Sequence, residues 1–231
     1  MFTYKFPKID VKLNVRMLSV VATLIYVLTT APLLLVGIYN WPSADDMSLA
    51  LETYRSWNST GDIFVTFFTA FKVGFNEYMT WMGYFFSNVM FCYSPSIFGE
   101  RGAAFVSVWM LGILTFGVCY FFNALFVKAL KGDKHLSNIA AMLTLTVIVQ
   151  CMPEGMPRVE SFYWYSGAIN YMFMFSMALF WLGLMIRTVY DENPKARFRK
   201  LLWACFWGFW LGGANYMTAL QCAICSALVI V

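Results

Sequence analysis

The feature that most constrains this chain is the absence of charge from long apolar runs. Met17–Tyr39, Ala103–Val127 and Leu136–Met152 contain no Asp, Glu, Lys, Arg or His. A helix needs about 20 predominantly apolar residues to cross the hydrocarbon core of a bilayer. Lipid offers no partner to backbone amides, so each run is expected to be a helix, which satisfies its amides internally. Met17–Tyr39 is too long for a signal-peptide core and no small-residue cleavage site follows it, so it is expected to be retained as a span, bent at Pro32. Leu136–Met152 is a span of minimum length, and Tyr163–Val189 is a fourth, with Arg187 near its end. Leu201–Gly213 and Ala219–Val231 are two further apolar runs, separated by Ala214–Thr218.

Composition excludes the soluble alternatives. Only 12% of the residues are charged and 61% are hydrophobic, whereas soluble domains carry about 25% charged residues. A soluble core of this size could not hide so much apolar side chain. The net charge is +4, but the basic residues stand at the ends of apolar runs. They form no contiguous footprint for a polyanion, so nucleic acid is not an expected partner. Five of the six cysteines lie in or beside apolar runs and read as small core residues. Cys222-x-x-Cys225 has no histidine or acid nearby to complete a metal or redox site.

Orientation follows from the Lys and Arg distribution. With residues 1–16 as a basic cytoplasmic N-terminus and sides alternating, 12 of the 16 Lys and Arg fall inside. Eight of the 12 acids fall outside. The expected architecture is all-α: a polytopic transmembrane helix bundle over residues 17–231. Its first outer loop, 40–102, contains amphipathic helices lying at the interface over Asp62–Cys92. The last run, Ala219–Val231, has only 13 residues and no charged anchor, so the chain is expected to be truncated at its C-terminal end, as part of a longer protein.

Most residues able to do chemistry fall on the outer side. Asp45-Asp46 follows the first span; the pair reads either as a helix cap, with Ser43 or Asp45 capping, or as a general base. Trp81-Met82-Gly83-Tyr84-Phe85-Phe86 reads as an interfacial aromatic belt or as a sugar-stacking or lipid-contacting surface. Arg158, one of four outer cations beside Arg55, Lys72 and Arg101, reads as a phosphate contact or as a salt bridge to Glu154 or Glu160. Asn170 opens a span where a polar side chain needs an interhelical partner, Asn215 is placed to reach the same cavity, and Gly208-x-x-x-Gly212 is a small-residue helix-packing pattern. His135, the one histidine, lies on the cytoplasmic side and reads as a solvated loop residue. Asn58-Ser59-Thr60 fits a glycosylation acceptor only in a eukaryotic secretory pathway.

The order of these motifs resembles the GT-C superfamily, multi-spanning glycosyltransferases that use polyprenyl-phosphate-linked sugars. The resemblance rests on a span followed by Asp45-Asp46 and a large outer loop. It continues with Trp81-x-Gly83-Tyr84, Tyr163-Trp164-x-x-Gly167-Ala168-x-Asn170-Tyr171 and Gly212-Gly213-x-Asn215. The pattern is similar to a bacterial branch related to O-antigen-modifying glucosyltransferases. Tyr84 stands where a basic residue is expected, and the chain is about half the usual length of such enzymes.

The resemblance implies a bacterial inner-membrane enzyme with its active site facing the periplasm. Its donor would be a polyprenyl-phosphate sugar, its acceptor a glycan or a lipid-linked glycan, and membrane lipids its surroundings. Asp45 or Asp46 would be the general base. Arg101, Arg158, Glu160, Trp81, Tyr84, Tyr163, Trp164, Asn170 and Asn215 would bind substrate or lipid phosphate. No cofactor is required; some members use a divalent cation, Mg or Mn. A transporter or flippase, expected to place ionisable groups near the midplane, and a non-catalytic membrane subunit are the alternatives.

Overall fold

The computed structural model describes residues 14–230, so most of the basic N-terminal segment and Val231 lie outside the described residues. Every regular element among these residues is helical. The first helix, α1 (Val15–Gly37), opens with Asn14, whose side chain accepts from the Met17 amide, and runs through Pro32. Four helices follow at one end of the bundle: α2 (Asp46–Leu49), α3 (Leu51–Thr60), α4 (Ile63–Thr80) and α5 (Phe85–Phe91). Two 3-10 helices, Pro95–Phe98 and Glu100–Ala104, lead into α6 (Phe105–Asn123), which continues as a π-helical segment, Ala124–Ala129. Then come α7 (Lys134–Gln150), α8 (Met156–Phe162) and α9 (Tyr165–Ala168). A second π segment, Ile169–Phe173, leads into α10 (Met174–Val189), followed by α11 (Pro194–Gly212) and α12 (Tyr216–Ile230).

Three rods are long and apolar enough to cross a membrane: Val15–Gly37, Glu100–Ala129 and Tyr165–Val189. They match three of the expected spans, and α7 falls where the short one is expected. In α1 the outward face is the more apolar one, although Ala22 and Leu33 are also buried. α1 turns Ser19, Tyr26 and Thr30 inward, while Leu28 is 71% exposed and Leu35 62%. An outer surface of that kind suits lipid rather than water.

Helix α6 lies at the centre, packing against α1, α7 and α10; α10 in turn carries α11 and α12. Lipid supplies little hydrophobic drive between helices, so small residues and interhelical hydrogen bonds do the work. A Cβ on Gly183 would lie 2.7 Å from the Tyr120 ring and 3.1 Å from the Phe121 Cα, so α10 and α6 approach closely there. Asn138 on α7 donates to the Ser19 and Thr23 hydroxyls of α1 at 2.9 and 3.0 Å. Gln150 donates to the Thr29 carbonyl at 2.8 Å.

Two boundaries and one packing pattern differ from the sequence reading. Asp191–Lys200 is expected to be a charged loop, but α11 begins at Pro194 because the Asn193 side chain caps it, accepting from the Lys195 and Ala196 amides. Helix α12 begins at Tyr216 rather than Ala219, capped by Asn215, whose Oδ1 accepts from the Thr218 amide. In the Gly208–Gly212 pattern only Gly208 meets a neighbour, the Trp181 indole, whereas Gly212 faces open space. The close helix crossing is made by Gly183 instead.

Candidate functional site

The elements α2–α5, the segment before α6, α8–α9 and the α11–α12 turn gather at one end of the bundle. The Asn40 side chain donates to the Ala103 and Tyr163 carbonyls at 3.0 and 2.6 Å. Tyr216 accepts through its hydroxyl from the Gly83 amide at 3.2 Å. The Gly213 carbonyl accepts from the Phe86 and Ser87 amides at 2.8 and 3.3 Å, closing the N-terminus of α5. The C-terminal carbonyls of α5 are closed by hydroxyls: Tyr165 donates to Met90 and Tyr93, and Thr53 to Cys92. A seven-residue helix has few intrahelical bonds of its own, so these foreign partners fix α5 in place.

Asp45 and Asp46 differ sharply in environment. Asp46 is 3% exposed. Its Oδ1 accepts from the Ser166 amide at 2.9 Å and the Ser166 hydroxyl at 2.7 Å, and its Oδ2 accepts from the Ser43 amide at 3.2 Å. It therefore ties the start of α2 to the break between α8 and α10. Asp45 is exposed and holds the N-cap position of α2, but its side chain makes no capping bond. The pair thus occupies the N-terminus of α2, with Asp46 in its first turn, but no side-chain capping bond is made by Asp45. Ala44, just before it, has φ 46°, a left-handed conformation that costs a residue with a Cβ about 1 kcal/mol. Such strain persists only where surrounding contacts enforce it, and here the Asp46 anchor does so.

Two cavities flank the pair. One, of about 420 Å³, is lined by Pro42, Asp46, Ala50, Tyr54, Ser96 and Glu100. The other, of about 350 Å³, is lined by Asp45, Glu52, Glu77, Val73 and Trp81. Among the described residues no three His, Cys, Asp or Glu side chains converge as an ion site.

Arg158 forms neither of the expected salt bridges. The ion pairs among the described residues are Arg55–Glu52 and Lys200–Asp191. Arg158 instead donates through Nη2 to the Met152 carbonyl at 3.1 Å, and its Nε is buried without a partner. Glu160 packs through its backbone against Gly167. The Arg101 guanidinium lies over the Trp41 ring, 4.8 Å from its centroid. Tyr163 donates to the Leu33 carbonyl at 3.0 Å. Burial pushes the Tyr163 phenol up, and the Arg158 charge draws it partly back.

Asn215 donates to the Asn170 backbone carbonyl, while the Asn170 side-chain Oδ1, expected to bond between helices, is buried without a partner. Tyr84 stacks edge-on against Tyr216 at 5.2 Å and donates to the Met82 sulfur. Burial, then the nearby Tyr216 and Tyr171 phenols, pushes the Tyr84 phenol up. Tyr84 and Trp81 part company: Trp81 is on the Asp45 cavity, while Tyr84 belongs to the Asn170–Asn215 side.

Seven buried side-chain polar atoms among the described residues have no hydrogen-bond partner. Four of them, on Ser87, Asn88, Arg158 and Trp164, belong to the elements gathered at this end, and Ser107 and Asn170 adjoin it, in the first turn of α6 and in the π segment just after α9. An unpaired buried polar atom costs about 1–3 kcal/mol, so each is a local cost of this arrangement. Sequence reasoning missed Ser166 and Tyr165, which hold Asp46 and α5. Both lie inside the quoted Tyr163–Tyr171 motif, but nothing in the sequence connects them to partners some 70 to 120 positions away. Compared with protein-family models, curated proteins and solved structures, the chain matches none.

Proposed function

We propose that this chain is a membrane glycosyltransferase that moves a sugar from a polyprenyl-phosphate carrier to an acceptor hydroxyl on the non-cytoplasmic face. The observation that carries the reading is the division of labour between the two aspartates. Asp46 is committed to Ser166 and Ser43, and Asp45 is held beside it with free oxygens on a cavity wall. In this reading Asp46 is a positioning residue and Asp45 is the general base. The Asp45 carboxylate takes the acceptor proton, and the acceptor oxygen attacks the anomeric carbon. The bond from that carbon to the phosphate oxygen breaks with inversion, and the lipid phosphate leaves with the electron pair. A phosphate is a good leaving group, so an acid catalyst is less necessary than in glycoside hydrolysis. Arg158, cationic and without a carboxylate partner, supports binding of the departing phosphate. Trp81 supplies a face for sugar stacking beside Asp45.

Transport fits less well. Apart from Arg187 in a last turn, the three long rods from α1, α6 and α10 contain no ionisable Asp, Glu, Lys, Arg or His between their ends. Membranes expressing the full chain are offered a panel of radiolabelled polyprenyl-phosphate sugars. Sugar transfer from one donor supports the reading. Binding of a donor without transfer, or flipping of donor across the membrane, contradicts it.

A further inference from the structure

The seventh unpartnered polar atom lies at the opposite end of the bundle, where the proposed chemistry has no use for it. Arg187, in the last turn of α10, is half-buried against the junction of α6 and its π segment. Its Nη2 donates to Asn123 Oδ1 at 2.6 Å, and its guanidinium lies over the Tyr120 ring at 4.4 Å. Its Nε is buried and has no partner, and no carboxylate is paired with it. Asp191, the nearest acid in sequence, is already paired with Lys200. Lys128 projects from the π segment, exposed, and its charge reaches Asp191. Lys195, Arg197 and Arg199 stand exposed on the first turns of α11, with Glu192 as the one further acid in that stretch.

The result is a recessed, charged fork with spare donors, ringed by exposed cations, at the end of a rod long enough to span a bilayer. The buried Nε is closed to a ligand, but Nη1 is neither hydrogen-bonded nor buried and can donate to a phosphate oxygen. At the end of such a rod, anionic headgroups gather at juxtamembrane basic clusters. We propose that Arg187, Asn123 and Lys128 form a binding site for the headgroup of an anionic phospholipid, at the end of the bundle opposite the Asp45 cavity. The site rests on the membrane reading of the three rods and not on the glycosyltransferase reading. A last-turn arginine also offsets the negative end of its own helix, but that role does not involve Lys128 and confers no lipid preference.

The full chain, purified and delipidated in detergent, is titrated with dioleoylphosphatidylglycerol or dioleoylphosphatidylcholine, and bound lipid is counted by native mass spectrometry. Inorganic phosphate forms a third arm. The expected result is preferential binding of phosphatidylglycerol, weakened about tenfold by Arg187→Gln and also by Lys128→Gln, the size of one charge-assisted hydrogen bond. Lys128 is exposed, so its variant carries the test if Arg187→Gln does not fold. Equal binding of the two lipids, or phosphatidylglycerol affinity unchanged in Lys128→Gln, overturns the proposal. Displacement of phosphatidylglycerol by inorganic phosphate alone also overturns it, because the site would then take a free anion.

Discussion

A buried carboxylate that accepts three hydrogen bonds cannot be shortened without stranding its donors. Asp46→Ala leaves the Ser166 amide and hydroxyl facing a void, with the Ser43 amide unpaired as well. A loss of about 2–3 kcal/mol is expected, the range for hydrogen bonds to a charged group. It is read as a lower thermal unfolding midpoint in mild detergent; an unchanged midpoint would mean that the anchor is not formed. The aspartate pair was legible in the sequence as a feature, from its place after the first span. Which carboxylate was free was not legible, because the choice is made by Ser166, 120 residues away. Arg158 shows the same limit. Glu154 and Glu160 are near it in sequence, yet the backbone of α8 directs it to the Met152 carbonyl instead.

Helix α5 exemplifies an element whose stability is supplied from outside. Both of its ends are closed by residues of other elements, and Gly74 lets α4 come so near that a Cβ there would sit 2.6 Å from the Val89 backbone. Tyr165→Phe removes the donor shared by the Met90 and Tyr93 carbonyls. It is expected to cost about 1–3 kcal/mol, measured by the same thermal assay. Burial also pushes the Cys92 thiol, just past α5, up to about 12. At pH 8 its reactive thiolate is therefore scarce. Maleimide is expected to label exposed Cys151 at pH 8 while sparing Cys92 until the chain is denatured; equal rates would contradict the burial of α5. The long helices were legible because absence of charge over 17 or more residues has few other causes. The boundaries of α11 and α12 were less so, since Asn193 and Asn215 act as caps in stretches that read as loop.

For the whole molecule, two distinct ends emerge from one alternation of helices. One end carries two cavities, a strained Ala44 and six orphaned polar atoms; the other carries most of the Lys and Arg among the described residues. That asymmetry was visible in the sequence as a charge count, whereas the convergence of residues 40–46, 81–92, 158–170 and 213–216 required the fold. The account stands on the claim that Asp45 is the base and Asp46 its anchor. The most direct test measures sugar transfer and thermal midpoint together for Asp45→Asn and Asp46→Asn, at matched expression. The account predicts that Asp45→Asn lowers transfer by about 10²–10⁴-fold with an unchanged midpoint, while Asp46→Asn lowers the midpoint. Full transfer by a well-folded Asp45→Asn would contradict it.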